Sequence, residues 1–536
     1  MVSSTVKTDN AKSNYDFVVI GAGTAGCVVA NRLSENPDVK VLVLEAGGGP
    51  EDIPDEVWTP SLWYTLLGSN IDWGYQSVPQ PGLNGRLTNE PRGKLIGGSS
   101  NLYLMMHIRG HKSDFDNWAY NGAVGWSFED VLPYFKKLED REDKTSDLVG
   151  RGGPLHVNNA KLHDPNPTSK AFIDACLALG YPYTEDFDDS NMEGAGWHHV
   201  DIKNGKRHSM AAAYLIPAMS RSNVTVSTKA QVTRLLFEGK KCIGVEYVKD
   251  NQTQTVYIDR EVIVCGGAIE SPKILMLSGI GNPTHLREQM IPVVADVPGV
   301  GENFHNHVLT GLIYECSKPV PPGNQNLSES ALFCKSEPGW VGPDLQLGLV
   351  HVPFNIIVGQ GHPNSISILP GVVRPLSRGW IRLASNNPLD KPLINPNYLG
   401  VDADTQRMIK AVKLSREIFA TEPLAGWCKE ELMPGSEVQT EAELEAFVRN
   451  TADSYHHQAG SCKMGLDSMA VVDPQLRVYG VEGVRVADAS VMPFVQSGNC
   501  HTAIAMIGEK VSDMIKDAHG LSPSIDNSQK LEASRS

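Results

Sequence analysis

Two histidines far apart in the chain, His457 in SYHHQAGSCKMG and His501 in SGNCHTAIAMIGEK, each stand among glycines and other small residues. Imidazole titrates near neutral pH, so two such rings over one substrate could take up and hold a proton. The chain has 16 histidines, and any one of them is more often a hydrogen-bonded structural residue than a base. His456 adjoins His457, and spacing alone does not separate the two.

A second chemical signal is DFVVIGAGTAGCVVANRLSENPDVKVLVLEAGG, which sets Gly21, Gly23 and Gly26 between an apolar run and a helical pattern, with Glu45 24 residues beyond Gly21. A strand, a glycine turn, a helix and an acidic strand end are the context that a dinucleotide fingerprint requires. Glycines let the backbone approach a pyrophosphate, the helix start offers free N–H groups, and the carboxylate can bond ribose hydroxyls. Glu45 would repel a 2′-phosphate, so the expected ligand is FAD or NAD rather than NADP. Two further glycine turns lie in RGKLIGGSSNLYLMMHIRG, with Gly97, Gly98, Ser99 and Ser100, and in VIVCGGAIESPKILMLSGIG, with Gly266 and Gly267 before a helix that Ser271 and Pro272 begin. Either alone could be an ordinary turn; together with the fingerprint they predict one extended ligand.

The elements that must position these residues follow from periodicity. Phe17 to Ile20, Val28 to Leu33 and Val39 to Leu44 form a β-α-β unit. Glu51 to Pro91 is rich in Pro, Gly and aromatic residues, among them Trp58, Trp63, Tyr64, Trp73 and Tyr75. It fits a lid over a site or, equally, a set of rings filling a core or domain boundary. From Val224 a run of β-branched residues predicts several closely connected strands, and a Pro-rich break follows at Lys318 to Gly323. Asp344 to Tyr398 reads as strands and turns, Thr405 to Phe419 as an amphipathic helix, and Val484 to Lys516 as a strand, loop and helix returning to the first domain. The expected fold class is mixed α/β, with a Rossmann-like domain and a second domain of antiparallel sheet and helices.

Composition narrows the function classes. A chain of 536 residues with 41% hydrophobic and 20% charged residues is long enough for two large domains. A formal net charge of -15 disfavours nucleic acid and anionic membranes as partners. The first residues have no apolar signal core and no stretch is long and apolar enough to span a membrane, so the cytoplasm is expected. Nine scattered cysteines without a C-x-x-C pair read as reduced thiols, with no metal site.

On four blocks in order, GAGTAG with Glu45, GKLIGGSS, GAIESPKILMLSGIG, and HQAGSCKMG followed by GVRVADASVMP, the chain resembles the glucose-methanol-choline (GMC) family of FAD-dependent oxidoreductases, in its bacterial choline-dehydrogenase-like branch. The resemblance runs from about Asp16 to Ile515. It implies an FAD-binding domain over 12–311 and 452–520, a substrate-binding domain over 312–451, and a polar tail over 521–536. It also implies extended FAD with Gly21, Gly23, Thr24, Ala25 and Gly26 at the pyrophosphate, Glu45 and Ala46 at the adenosine ribose, and Val232 near the adenine. Gly97, Gly98, Ser99 and Gly266 would flank the cofactor, Asp488 and Ala489 would meet its ribityl and pyrophosphate portion, and Asn499 would pass the isoalloxazine ring.

By the same resemblance His457 is the active-site histidine, and His501 falls where the family has His or Asn. Three positions depart from the family pattern: Tyr103 stands where Asn is common, Gln458 follows His457 in place of Pro, and Ala503 replaces another Pro. Tyr103 and His456 are expected at the substrate pocket. Where some members attach FAD to a histidine this chain has Leu102, so noncovalent FAD is expected, with His107 a poor alternative. The implied reaction is oxidation of a primary alcohol, aromatic ones included, to the aldehyde. His457 takes the hydroxyl proton while hydride passes to flavin N5, and oxygen or another acceptor reoxidises the flavin. Competing expectations are a hydroxynitrile lyase or a light-driven fatty acid decarboxylase on the same fold, and a NAD-binding or catalytically silent protein.

Overall fold

The computed structural model describes residues 14–143, 146–189, 191–353 and 362–522; the polar tail from 523 onward lies outside them. The first sheet has seven strands: β1 (Asn14–Ile20), β2 (Val41–Leu44), β3 (Val224–Ser227), β4 (Ala230–Glu238), β5 (Lys241–Lys249), β6 (Gln252–Val264) and β7 (Val484–Val486). Their order is β3-β2-β1-β6-β5-β4, with β7 also paired to β6. β3, β2, β1, the end of β6 and β7 run parallel, while β4, β5 and the start of β6 form an antiparallel meander.

Continuous apolar runs build the parallel part. Phe17 to Ile20 and Val41 to Leu44 are buried throughout, as strands covered on both faces must be. Helices α1 (Thr24–Leu33), α2 (Gly267–Leu277) and α3 (His501–Ala518) pack with this sheet in one core. α1 and α3 approach closely at Gly508, where a Cβ would lie 2.9 Å from that of Val28. β7, which precedes α3, pairs in parallel with β6 at Val262↔Val484 and Val264↔Val486, so this late segment returns to the sheet that β1 began.

The second sheet is antiparallel, in the order Cys428–Met433, Leu312–Cys316, Ser365–Val372, Leu345–Val350, Ser330–Cys334 and Gly194–Trp197. Val308–Leu309 and Asp453–Ser454 add to it through Ser365–Val372. Its alternation has two uses. Ile366, Ile368, Leu347 and Leu349 pack with the helix Asp402–Phe419, whereas Leu369 and Val350 point the other way, into a cluster with Trp63 and Met105. This sheet takes strands from both sides of the boundaries expected at 311 and 452, because an antiparallel sheet is completed by whichever chain segments pass its edges.

The aromatic stretch 51–91 consists of short helices and turns packed into the body of the protein. The Trp63 indole donates to the Asn326 carbonyl at 2.9 Å, and the Tyr75 hydroxyl donates to Glu270 at 2.6 Å. Among the described residues, no helix is long and apolar enough to cross a membrane.

Candidate active site

Four of the expected ligand positions lie at the carboxyl ends of parallel strands. Gly21 follows β1, Glu45 follows β2, Gly266 comes just after β6 and Asp488 just after β7. In an open sheet of this kind the crevice outside those ends is where a nucleotide fits. Here it is a cavity lined by Gly21, Gly23, Thr24, Ala25, Glu45 and Ala46 from the first β-α-β unit. Gly98, Ser99, Val232, Gly266, Asp488 and Ala489 complete its wall.

The glycines there have different reasons. A Cβ on Gly23 would meet nothing within 4 Å, so its bare face is room left for a ligand. A Cβ on Gly26 would fall 1.9 Å from the Gly21 carbonyl oxygen, so Gly26 serves the close packing of α1 on β1. Neither Gly26 nor Gly97 reaches the cavity wall. Gly97, with φ of 88°, instead donates its N–H to the Ala22 carbonyl at 2.7 Å, and Gly98 presses against the Cα of Gly23. The GGSS turn is thereby locked to the fingerprint turn.

The two carboxylates are held by backbone. Glu45 accepts N–H bonds from Ala22 and Gly47, both at 2.8 Å, and burial outweighs them to push its carboxyl up to about 7. Asp488 accepts from Gly267 N–H at 2.8 Å and from the Ser271 hydroxyl at 2.6 Å, which ties the β7 end to the start of α2.

A second cavity adjoins the first and shares Thr24, Arg92, Ser99 and Ile504 with it. His457, His501, Tyr103, His456 and Asn499 all line it. His501 is the first residue of α3, and Asn499 and Cys500 precede it. Both His457 and His501 are only 8% exposed, so they face enclosed space.

Around His457 the hydrogen bonds assign the ring nitrogens. Gln346 donates its amide to Asn499 Oδ1 at 3.1 Å, which leaves the Asn499 amide nitrogen facing His457 Nε2 at 3.2 Å. Nε2 is therefore the acceptor, and Nδ1 carries the proton, 2.9 Å from His307 Nδ1. The His457 backbone N–H is fixed by Asn306 at 2.7 Å. Burial, with His307 adding to it, holds the His457 imidazole well below its ordinary value, so it is neutral at pH 7.

Around His501 the supports are different. Its Nδ1 lies 3.2 Å from Asp201 Oδ2, within ion-pair range but poorly angled for a hydrogen bond, and its Nε2 is buried with no protein partner. The Tyr103 ring packs on it with centroids 4.3 Å apart, and the Tyr103 hydroxyl donates to Asp201. Behind Asp201, His107 bridges to it at 2.9 Å and to Glu139 at 3.0 Å, and Arg109 forks onto Glu139. Burial would lower the His107 pKa, but Asp201 and Glu139 raise it to about 9. Burial would raise both carboxyls, but His107 with His501 holds Asp201, and Arg109 with His107 holds Glu139, well below the usual range. His107, Glu139 and Asp188 bring three ligand-type atoms within 4.8 Å of one another, yet Arg109, Arg141 and Asp201 already engage them.

Sequence reasoning did not find Asp201, His307, Asn306 or Arg92. His307 and Asn306 sit in FHNHV, whose paired polar residues before a β-branched run were the available signal; Asp201 and Arg92 carry none.

Two family models, both described as GMC oxidoreductase, match residues 15–309 and 375–508. The mitochondrial choline dehydrogenase of Mus musculus is 42% identical over 94% of this chain and 90% of its own. The oxygen-dependent choline dehydrogenase of Brucella suis biovar 1 is 39% identical over 93% of this chain and 95% of its own. Among solved structures, pyridoxine 4-oxidase from Mesorbium loti superposes with a TM-score of 0.90 at 34% identity, covering 95% of this chain and 100% of that one.

Proposed function

The chain belongs to the GMC oxidoreductase family and is an FAD-dependent enzyme that oxidises an alcohol to the aldehyde; from that premise we propose that His457 is the base that takes the hydroxyl proton and that His501 holds the same oxygen. The observation that carries this assignment is the chain from Gln346 through Asn499 to His457, which sets Nε2 as the basic nitrogen of a neutral imidazole at the cavity wall, held there by the Asn499 amide at 3.2 Å. A general base needs a lone pair that the substrate O–H can take over, and Nε2 offers it when the alcohol displaces that long contact. His501 adds a second buried Nε2 without a protein partner on the same wall. Between them an alcohol oxygen is oriented and its water shell excluded.

The residues present fit FAD. The first cavity is long, its Gly23 face is bare, and α1 starts beside it with free N–H groups. Gly21 to Ala25 would hold the pyrophosphate, Glu45 and Ala46 the ribose, Val232 the adenine, and Asp488 with Ala489 the stretch toward the second cavity. When bound, FAD supplies the acceptor for the hydride released from the alcohol carbon. Leu102 offers no nucleophile and His107 is committed to Asp201 and Glu139, which supports noncovalent binding.

We read 12–311 with 452–520 as the FAD-binding part and 312–451 as the core of the substrate part, with the second sheet completed from both. An electron acceptor, oxygen or another, closes the cycle. The nine unpaired cysteines fit a reducing compartment such as the cytoplasm. The lyase and decarboxylase alternatives are not favoured by these relatives. Anaerobic addition of primary alcohols to the purified flavoprotein tests the proposal: one of them should bleach the visible flavin band, and a band untouched by every alcohol would overturn it.

A further inference from the structure

We propose that the cavity beside His457 and His501 selects electrically neutral, apolar alcohols and rejects quaternary-ammonium alcohols, a refinement that rests on the alcohol-oxidation reading above. Among the described residues that line it there is no aspartate or glutamate, and the one permanently charged side chain is Arg92. The wall is built from Trp63, Leu102, Leu104, Met106, Leu309 and Leu369.

Two buried carboxylates lie behind this wall, Asp201 against Tyr103 and His501 and Glu90 acting by charge on Arg92, and both are already engaged. Asp201 is held by Tyr103, His107 and His501, with the protonated His107 balancing its charge. Glu90 accepts from Gln458, Thr88 and Tyr398. Neither turns an unpaired oxygen toward the cavity. Arg92, fixed by donation to the His456 carbonyl at 2.6 Å, is the cation that the charges of Glu90 and Asp72 face.

A cation moved from water into such a space loses its hydration and finds no counter-charge. The rings of Trp63, Tyr103 and Tyr455 offer it a cation–π attraction, and no carboxylate of the wall adds to it. A neutral apolar alcohol meets no such cost, and the leucines and rings gain contact with it. The named relatives are choline dehydrogenases, so similarity of sequence and chemistry of the wall point to different substrates.

Choline and 3,3-dimethylbutan-1-ol have nearly the same shape and differ in charge, which makes them the pair to compare. With the FAD-loaded enzyme, the neutral alcohol should reduce the flavin with kcat/KM at least about 100-fold above that of choline, a difference expected for an unpaired buried charge. Equal or better reduction by choline overturns the proposal while leaving alcohol oxidation intact. If neither alcohol reduces the flavin, calorimetric titration still decides the selectivity: binding of the neutral alcohol without choline supports it, and any other result overturns it.

Discussion

Asp201 Oδ2 stands 3.2 Å from His501 Nδ1, while the Tyr103 ring lies on the same imidazole and donates its hydroxyl to the same carboxylate. A carboxylate behind a histidine favours the tautomer that keeps the far nitrogen free, here the unpartnered Nε2 on the cavity side. Asp201→Asn should therefore lower kcat for flavin reduction by roughly 10- to 100-fold with KM little changed. Tyr103→Phe, which removes a single donor, should lose less. Stopped-flow traces across substrate concentration separate the two constants, and an unchanged kcat in Asp201→Asn would remove Asp201 from any role toward His501.

His457→Ala should keep FAD bound, because His457 does not line the first cavity. Flavin reduction by the best alcohol should slow by about 10²- to 10⁴-fold, the usual worth of a positioned base. Full-speed reduction in this variant would transfer the base to another residue, with His501 the first to examine.

The two fingerprint glycines predict opposite phenotypes. Gly23 has extended backbone and open space where a side chain would go, so Gly23→Val should leave the apoprotein as stable as before and abolish FAD retention. Gly26→Ala drives a methyl group into the Gly21 carbonyl and should destabilise the apoprotein itself. Flavin content after gel filtration and thermal melts of both apoproteins distinguish these effects.

Stability should fall on both sides of neutrality. Burial drives His198, His307 and His456 down to about 3 and His208 and His351 to about 4. Unfolded, each titrates at about 6.5. Below that pH the unfolded chain binds protons that the native state refuses, so stability drops as pH falls from about 6.5. His107 has the opposite sign. Its stabilising charge is complete below about 6.5 and is lost as pH rises through about 9. Thermal midpoints measured from about pH 5 to about pH 10 should peak near neutrality; a midpoint still rising below about pH 6 would contradict the assigned neutral histidines.

Much of the cofactor crevice was legible because its requirements are local. Gly21, Glu45 and Gly266 each end a strand within a few residues of an apolar run, and their spacing records the turn that backbone geometry imposes. The histidine pair was legible only through resemblance, since nothing local marks His457 among 16 histidines. Asp201 and His307 were not legible at all. Asp201 meets His501 across 300 positions of chain and His307 meets His457 across 150, and such contacts are set by how the two sheets face each other. The aromatic stretch 51–91 was ambiguous for the same reason: whether Trp63 covers a site or fills a wall depends on Asn326, which its own neighbourhood does not contain.

The parallel pairing of β7 with β6 has a consequence for how the protein is made. On the ribosome, the strand that begins near residue 14 must wait for residues 484–486 before its sheet is whole, and for α3 before that sheet's helical cover is in place. Asp488, Ala489 and Ile504 of the cofactor cavity are also synthesised long after Gly21 and Glu45 of the same cavity. A nascent chain lacking β7 exposes the end of β6 as an open edge, so FAD becomes available as a stabilising ligand only after residues 484–504 have emerged.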